Sequence, residues 1–284
     1  MKNLIFLLII YFFLSSCEKA EDKIENKEAE PIAFTVIGDV PYGDTQLEGL
    51  VNLIEKHNAQ EASEFVVHVG DIKKGSVPCE ENVYKDVSTI LKKIKAPTFI
   101  VLGDNEYNDC DNPNEGLEFW NTYFLQFNKN WNFKHAVTNQ PNRIENFNWI
   151  QNNVLFIGLN IVGSSVHDAD EWQTRLTENG IWVQQLIETN KNNVEAIVIF
   201  SHANMVEAGP DKFKPFTDLF RTAAKDFTKP ILLVNGDGHF WIKDNPYEEK
   251  NITRVQITGG TNALKVTIDT ANENPFLFDN NFLD

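Results

Sequence analysis

Short apolar runs alternate with stretches of helical period along the first half of the chain, and this alternation predicts its elements. Ile32 to Val40 reads as a buried strand, and Asp44 caps a helix whose apolar positions Leu47, Leu50, Val51 and Ile54 share one face. Phe65 to Ile72 is a second strand. Val83, Val87, Ile90, Leu91 and Ile94 mark a second helix, and Thr98 to Leu102 a third strand. An aromatic-rich helix is expected over 115–127. The pattern then turns antiparallel in character, with strands at 133–137, 143–150 and 154–162 joined by Asn-rich turns. A helix over Trp172 to Glu188, a strand at Ala196 to Phe200 and a further helix precede strands at 231–234, 252–257 and 264–268. Alternating strands and helices followed by hairpins predict an α/β sandwich built on mixed β-sheets.

The extreme N-terminus does not fit that domain. Leu4 to Leu14 is an uninterrupted apolar run after Lys2. It falls short of the ~20 residues that span a bilayer but suits the core of a signal peptide. It ends in Leu14-Ser15-Ser16-Cys17, which resembles a bacterial lipobox. The expectation is therefore an exported protein, acylated at Cys17 and anchored on the periplasmic or cell-surface face of a bacterial membrane. Ordinary cleavage near Ser16 is the alternative. Residues 18–31, charged or small throughout, read as a flexible tether, which leaves 32–284 for one folded domain.

Charge narrows the partners. The chain carries 25 basic against 41 acidic residues, and loss of Lys2 with the leader leaves 24 against 41, or −17. Such a surface repels phosphate polymers, so stable nucleic-acid binding is not expected, and attachment to the membrane would rest on acyl chains alone. Nothing in the pattern fixes an oligomeric state. With Cys17 lipidated, Cys79 and Cys110 remain, an even pair in an oxidising compartment. A disulfide between them is expected, bracing the loops that follow Asp71 and Asp104; two buried free thiols are the alternative.

The candidate chemistry lies at the strand ends. Gly-Asp follows a predicted strand at 38–39, 70–71, 103–104 and 236–237, and Ser201-His202 follows another. Ligands of α/β sheets bind beyond the carboxyl ends of the strands. Carboxylates massed on one rim repel one another unless a cation neutralises them, and a set of Asp and His without thiolate suits Mn, Fe, Zn or Mg. One such Gly-Asp would read as an ordinary turn; five strand ends delivering ligand types together do not.

The ordered set resembles the calcineurin-like metallophosphoesterase superfamily over about Ile32 to Phe278. That family reads D-x-H, G-D-x-x, G-N-H-[ED], a lone H, then G-H-x-H. The counterparts are Gly38-Asp39-Val40-Pro41, Gly70-Asp71-Ile72-Lys73, Gly103-Asp104-Asn105-Glu106, His202 and Gly236-Asp237-Gly238-His239. The resemblance implies a four-layer α/β/β/α sandwich and a metal-dependent phosphoesterase, acting on phosphomonoesters or diesters with one or two divalent ions. It implies that Asp71 bridges two metals, the first also held by Asp39 and His239, the second by Asp104, His202 and Asp237.

Several positions depart from the family pattern. Pro41 stands where the family has a histidine ligand, Asp104 where it has asparagine, and Asp237 where it has the first histidine of G-H-x-H. Asn105 occupies the place of the histidine that assists the leaving group, and an amide cannot shuttle that proton. The departures resemble a bacterial branch with G-D-V-P-Y-like and G-D-N-E motifs, and Tyr42, Cys110, Arg254 and Asn274-Pro275-Phe276 fit it. A surface lipoprotein that binds metal or a phosphoryl ligand without turnover is the competing expectation. His68 reads as a core histidine, His57 as a cation at a helix end, and His167 and Asp168 as solvated loop. Lys73 and Lys74 read as ordinary loop lysines, and Trp120, Tyr123, Phe124 and Phe127 as core.

Overall fold

The computed structural model describes residues 30–163 and 165–284. The expected leader with Cys17, and the tether up to residue 29, lie outside the described residues.

The chain opens with β1 (Ile32–Ile37), α1 (Asp44–Gln60), β2 (Phe65–His68), α2 (Glu81–Leu91), β3 (Thr98–Ile100) and α3 (Pro113–Phe124). Next come β4 (Thr138–Gln140), β5 (Arg143–Gln151), β6 (Val154–Gly158), α4 (Ala169–Asn190), β7 (Ala196–Phe200), α5 (Lys214–Phe227) and β8 (Ile231–Asn235). The tail adds β9 (Ile242–Asp244), β10 (Ile252–Gln256), β11 (Leu264–Ile268) and β12 (Phe276–Asp279). Five strands form one mixed sheet in the order β12-β11-β1-β2-β3, and seven form a second in the order β4-β5-β6-β7-β8-β10-β9. Within them β1-β2-β3 and β6-β7-β8-β10 run parallel, which sends their carboxyl ends to a common side.

Period-two alternation separates the layers. Phe34, Phe65, Val67 and Phe99 from the first sheet share a cluster with Trp149, Phe156, Val198 and Val234 from the second, and no helical residue belongs to it. Rings interleave across this interface, with Phe99 stacked on Trp149 at 4.3 Å and Phe34 edge-on to Phe156 at 5.9 Å. The intervening residues, such as Val66, Ile100, Leu155 and Ile199, pack with the apolar faces of the helices. Two sheets face to face with helices outside make the four-layer α/β/β/α sandwich.

Differences from the expected elements have local causes. Strands end early because their apolar continuations, Val40, Ile72, Leu102 and Val162, are buried loop residues at the rim. The face of α1 centres on Leu50, Leu53 and Ile54 rather than on Val51. His57 is not a charged helix cap: it is buried against Ser63, and burial pushes its imidazole down to about 4. The span 133–137 is not a strand, and β4 begins just beyond it. The Asn152-Asn153 turn has φ of 45° and 62°, the left-handed pair that a tight hairpin requires between β5 and β6. Trp120, Phe124 and Phe127 are core, and Asp168 caps α4. No helix among the described residues is long and apolar enough to cross a membrane.

Candidate metal centre

Each candidate ligand follows the carboxyl end of a parallel strand: Asp39 after β1, Asp71 after β2, Asp104 after β3, His202 after β7, and Asp237 with His239 after β8. The backbone there is strained. Asp39, Asp71, Asp237 and His239 all have positive φ, 54°, 63°, 71° and 57°, a region that non-glycine residues rarely enter. Glycine is needed beside them for closeness. A Cβ on Gly103 would lie 2.2 Å from Asp71 Oδ1, and one on Gly70, where φ is +92°, would meet Gly103 N at 2.7 Å and His202 Nδ1 at 2.8 Å.

The turns bring two ligand groups together, Asp39 with Asp71 and His202, and Asp104 with His202 and Asp237, each with its ligand atoms within 4.8 Å of one another. His202 is fully buried and shared by both. Its Nδ1 faces the carbonyl of Val69 at 2.8 Å, so Nδ1 carries the hydrogen. The opposite nitrogen, Nε2, points between Asp104 Oδ1 at 3.0 Å and Asp71 Oδ1 at 3.3 Å without forming an aligned hydrogen bond. In the neutral ring that nitrogen is a lone pair facing two carboxylate oxygens, an arrangement that calls for a cation between them. Asp39 repeats the pattern: Oδ1 accepts the Asp237 N–H at 3.0 Å, while the buried Oδ2 has no partner. These orphaned acceptors, oxygen and imidazole in type, fit a divalent ion.

The charges agree. Burial pushes Asp71 well above the usual carboxylate range and raises Asp39 as well. Burial would also raise Asp104, but the neighbouring His202 outweighs it and the net shift is downward. Burial would lower His202, yet Asp71 and Asp104 hold it well above its ordinary value. Carboxyls raised by burial and an imidazole raised by carboxylates mark negative charge crowded at one point, which a cation would neutralise.

His239 does not enter either group. It is about half exposed (48 %), with Nε2 3.8 Å from Asp39 Oδ1 and its ring edge-on to Tyr42. Pro41 offers no donor on this side. Asn105 does not face outward either: Nδ2 reaches Asp71 Oδ2 at 2.5 Å and the Tyr42 oxygen at 2.9 Å.

Sequence reasoning passed over two residues that shape the site. Tyr42 donates its hydroxyl to Asp71 Oδ2. Glu106, fully buried, accepts backbone N–H groups from Gly103 at 2.6 Å, Asp71 at 3.1 Å and Ile72 at 3.3 Å, tying the second and third motif loops together. The signal for both was their place inside the quoted motifs, and an acid three residues past a glycine turn is well placed to accept amides. Cys79 and Cys110 form the expected disulfide, which packs beneath the carbonyl of Asn105. His68 is a neutral core histidine between Val40 O and Gly70 N, Lys73 is buried with its ammonium on Val77 O, and His167 bonds Asn108.

Residues 32–239 match the calcineurin-like phosphoesterase family. None of the curated proteins matches the sequence. Among solved structures the chain is similar to a dimetal phosphatase from Danio rerio, at 13 % identity over 88 % of this chain and 99 % of that one, with a TM-score of 0.53. It is similar to GAP50, the anchor in the inner membrane complex of Plasmodium, at 11 % identity over 88 % of each chain and a TM-score of 0.54. It is also similar to a purple acid phosphatase from yellow lupin, at 9 % identity over 88 % of this chain and 53 % of that one, with a TM-score of 0.55. At such identities these neighbours speak for the fold alone.

Proposed function

The chain belongs to the calcineurin-like phosphoesterase family, and on that premise we propose that it is a metal-dependent phosphoester hydrolase, exported and held to a bacterial membrane by an acyl group on Cys17. The observation that carries the reading is the pair of orphaned acceptors, His202 Nε2 and Asp39 Oδ2, buried among carboxylates. The family works with divalent metals, and Asp71, Asp104, His202 and Asp237 would hold one here, with Asp39 and His239 available to a second. Metal ions at such a rim supply Lewis-acid charge to a phosphoryl oxygen and lower the pKa of a bound water.

The chain's own residues set the limits of the chemistry. Gly163 N–H bonds Asp104 Oδ1 at 3.2 Å and Asn204 N–H bonds Asp237 Oδ2 at 3.2 Å, so the carboxylates are oriented before any ligand arrives. Asn105 can donate a hydrogen bond but cannot protonate a leaving alkoxide. General acid catalysis is typically worth ~10²–10⁴-fold, so turnover is expected to be slow and to favour aryl phosphoesters, whose leaving groups depart as anions. The test is metal content of the purified protein together with rates on a panel of aryl and alkyl phosphoesters. Metal-free protein that takes up no Mn, Zn or Fe on reloading ends this reading, and equal rates on both ester classes with chemistry rate-limiting assign the proton to another donor.

A second reading is favoured by Asn105 and Pro41 together: a surface protein that keeps the metal or a phosphoryl ligand without turning it over. Bound metal with no hydrolysis of any ester selects this reading. For the anchor, Cys17→Ser is expected to move the protein from the membrane fraction to the soluble one; a variant that stays membrane-bound removes the lipoprotein assignment.

A further inference from the structure

The chain lacks a histidine at two positions of its motifs, Pro41 and Asn105, and one hydrogen-bonded group fills the space around both. The Tyr42 hydroxyl donates to Asp71 Oδ2, Asn105 Nδ2 reaches that same oxygen at 2.5 Å, and Asn105 Nδ2 also lies 2.9 Å from the Tyr42 oxygen. Both ends of the group are held. The Tyr42 N–H donates to Gln46 Oε1 at 2.8 Å and its ring lies edge-on to His239 at 5.4 Å between centroids. On the other side the Asn105 N–H donates to Asp71 Oδ1 at 3.1 Å, and the Cys79–Cys110 disulfide packs under the Asn105 carbonyl.

The consequence falls on Asp71. Two donors converge on Oδ2, whereas Oδ1 accepts one backbone amide and lies 3.3 Å from the orphaned Nε2 of His202. The terminal torsion of an aspartate is broad and soft, so nothing intrinsic to the residue decides which oxygen faces a ligand. We propose that Tyr42 and Asn105 are positioning residues that act as a unit, fixing Asp71 so that Oδ1 is the oxygen presented to a cation. Asn105 thus keeps a task at the position where the family has its histidine, without moving a proton. The inference rests on the metal-binding half of the proposed function and is independent of whether any ester is cleaved.

Outer partners of metal ligands are typically worth 10–100-fold in affinity. Because Tyr42 and Asn105 hold the same oxygen and each other, removing either one already frees the carboxylate. The test uses the mature full-length protein and Zn or Mn alone, titrated calorimetrically, with thermal unfolding of the metal-free protein alongside. Tyr42→Phe and Asn105→Ala are each expected to weaken the first ion at least tenfold, and the double variant little further than either single one. Tyr42→Phe keeps the ring against His239, so an unchanged unfolding temperature separates lost positioning from lost folding. Single variants that bind within twofold of the parent overturn the proposal, and so do losses that simply multiply. A visible phenolate charge-transfer band in Fe(III)-loaded parent protein, absent from Tyr42→Phe, also overturns it by making Tyr42 a ligand. A parent that binds no metal defeats the proposed function instead; a parent that binds metal without turnover leaves the positioning test intact.

Discussion

The two sides of the candidate centre are built to different standards. On one side Asp104, His202 and Asp237 are each oriented by a backbone group, Gly163 N–H, Val69 C=O and Asn204 N–H, and Asp71 is held by Tyr42 and Asn105. On the other, Asp39, which groups with the same Asp71, has Oδ1 on the Asp237 N–H but Oδ2 without a partner, Pro41 contributes no donor, and His239 sits half exposed at 3.8 Å. Both ligand groups draw on His202, yet its single free lone pair can serve one ion at a time. The contrast teaches that a shared rim need not give equal sites: one side is pre-organised for a cation, and the other is completed only if His239 moves inward. The centre is therefore expected to take a first ion tightly and a second weakly.

Ligand removal gives the largest expected effect. His202→Ala withdraws the one nitrogen common to both groups and is expected to weaken the first ion by ~10³-fold, about 4 kcal/mol. His239→Ala should leave that ion within about threefold and affect only the second, by roughly tenfold. Calorimetric titration with Zn or Mn reads both constants, and equal losses from the two variants would erase the distinction between the sides.

The disulfide tests whether the tighter side owes its order to a brace. Cys79 and Cys110 are 31 residues apart and link the loop after Asp71 to the loop after Asp104; no disulfide among the described residues serves the Asp39 loop. Replacing both by Ser is expected to cost ~3–4 kcal/mol in denaturant unfolding on the chain-entropy account. First-ion affinity should fall with it while the response to His239→Ala stays as it was. Unchanged unfolding would mean the loops are ordered by Glu106 and packing alone.

Acid should act on the joint between the sides. His68 accepts from Gly70 N–H and reaches Val40 O, so its neutral ring ties the Asp39 loop to the Asp71 loop. Burial pushes its value down to about 4, against ~6.5 in an unfolded chain. The folded value lies below the unfolded one, so the stability it contributes is complete above about pH 6.5 and is lost as the pH falls towards about 4, up to about 3 kcal/mol. His57 titrates in the same window. The measurement is therefore a difference: metal-free parent and His68→Gln unfolded at pH 7 and pH 5, with the variant expected to lose less on acidification. Parallel losses would assign the acid response elsewhere.

What the sequence discloses follows from what is periodic. The central strands of both sheets were legible as short apolar runs between helical stretches, and the rim residues because Gly-Asp pairs recur where those strands stop. The short edge strands β4, β9 and β12, with few apolar residues or late in the chain, were not read. The unequal standing of the sides was not legible. It depends on where Nε2 of His202 points, on which oxygen of Asp71 is occupied, and on a half-exposed His239, all set by contacts between residues 29 to 198 positions apart. Tyr42 shows the limit most plainly. The sequence marks it only as a match to the first motif, and only the approach of the β2 and β3 loops makes it a partner of Asp71. His57 failed for a related reason, since a place near a helix end predicts charge only when the end is solvated, and Ser63 and the core enclose this one.

The smallest expected effect comes from repairing the weaker side. The resemblance that orders the motifs places a histidine ligand where this chain has Pro41, next to Asp39 with its partnerless Oδ2. Pro41→His would add a neutral imidazole nitrogen to a side that otherwise offers carboxylate oxygen and the distant His239, a donor well suited to Mn, Fe or Zn. The expected gain is about tenfold in the affinity of the second ion, equivalent to roughly 1.4 kcal/mol. It should stay this modest because the new ring must settle in a buried loop beside Tyr42, and a ligand that is not held in place forfeits part of its affinity. The first ion, held through Asp71, Asp104, His202 and Asp237, should stay within about twofold. A second ion that tightens while the first is unmoved keeps the two sides distinct and identifies the missing histidine as the reason for their inequality. If Pro41→His and His239→Ala both leave the titration as it was, the Asp39 side holds no ion, and its orphaned oxygen belongs to a centre that binds a single metal.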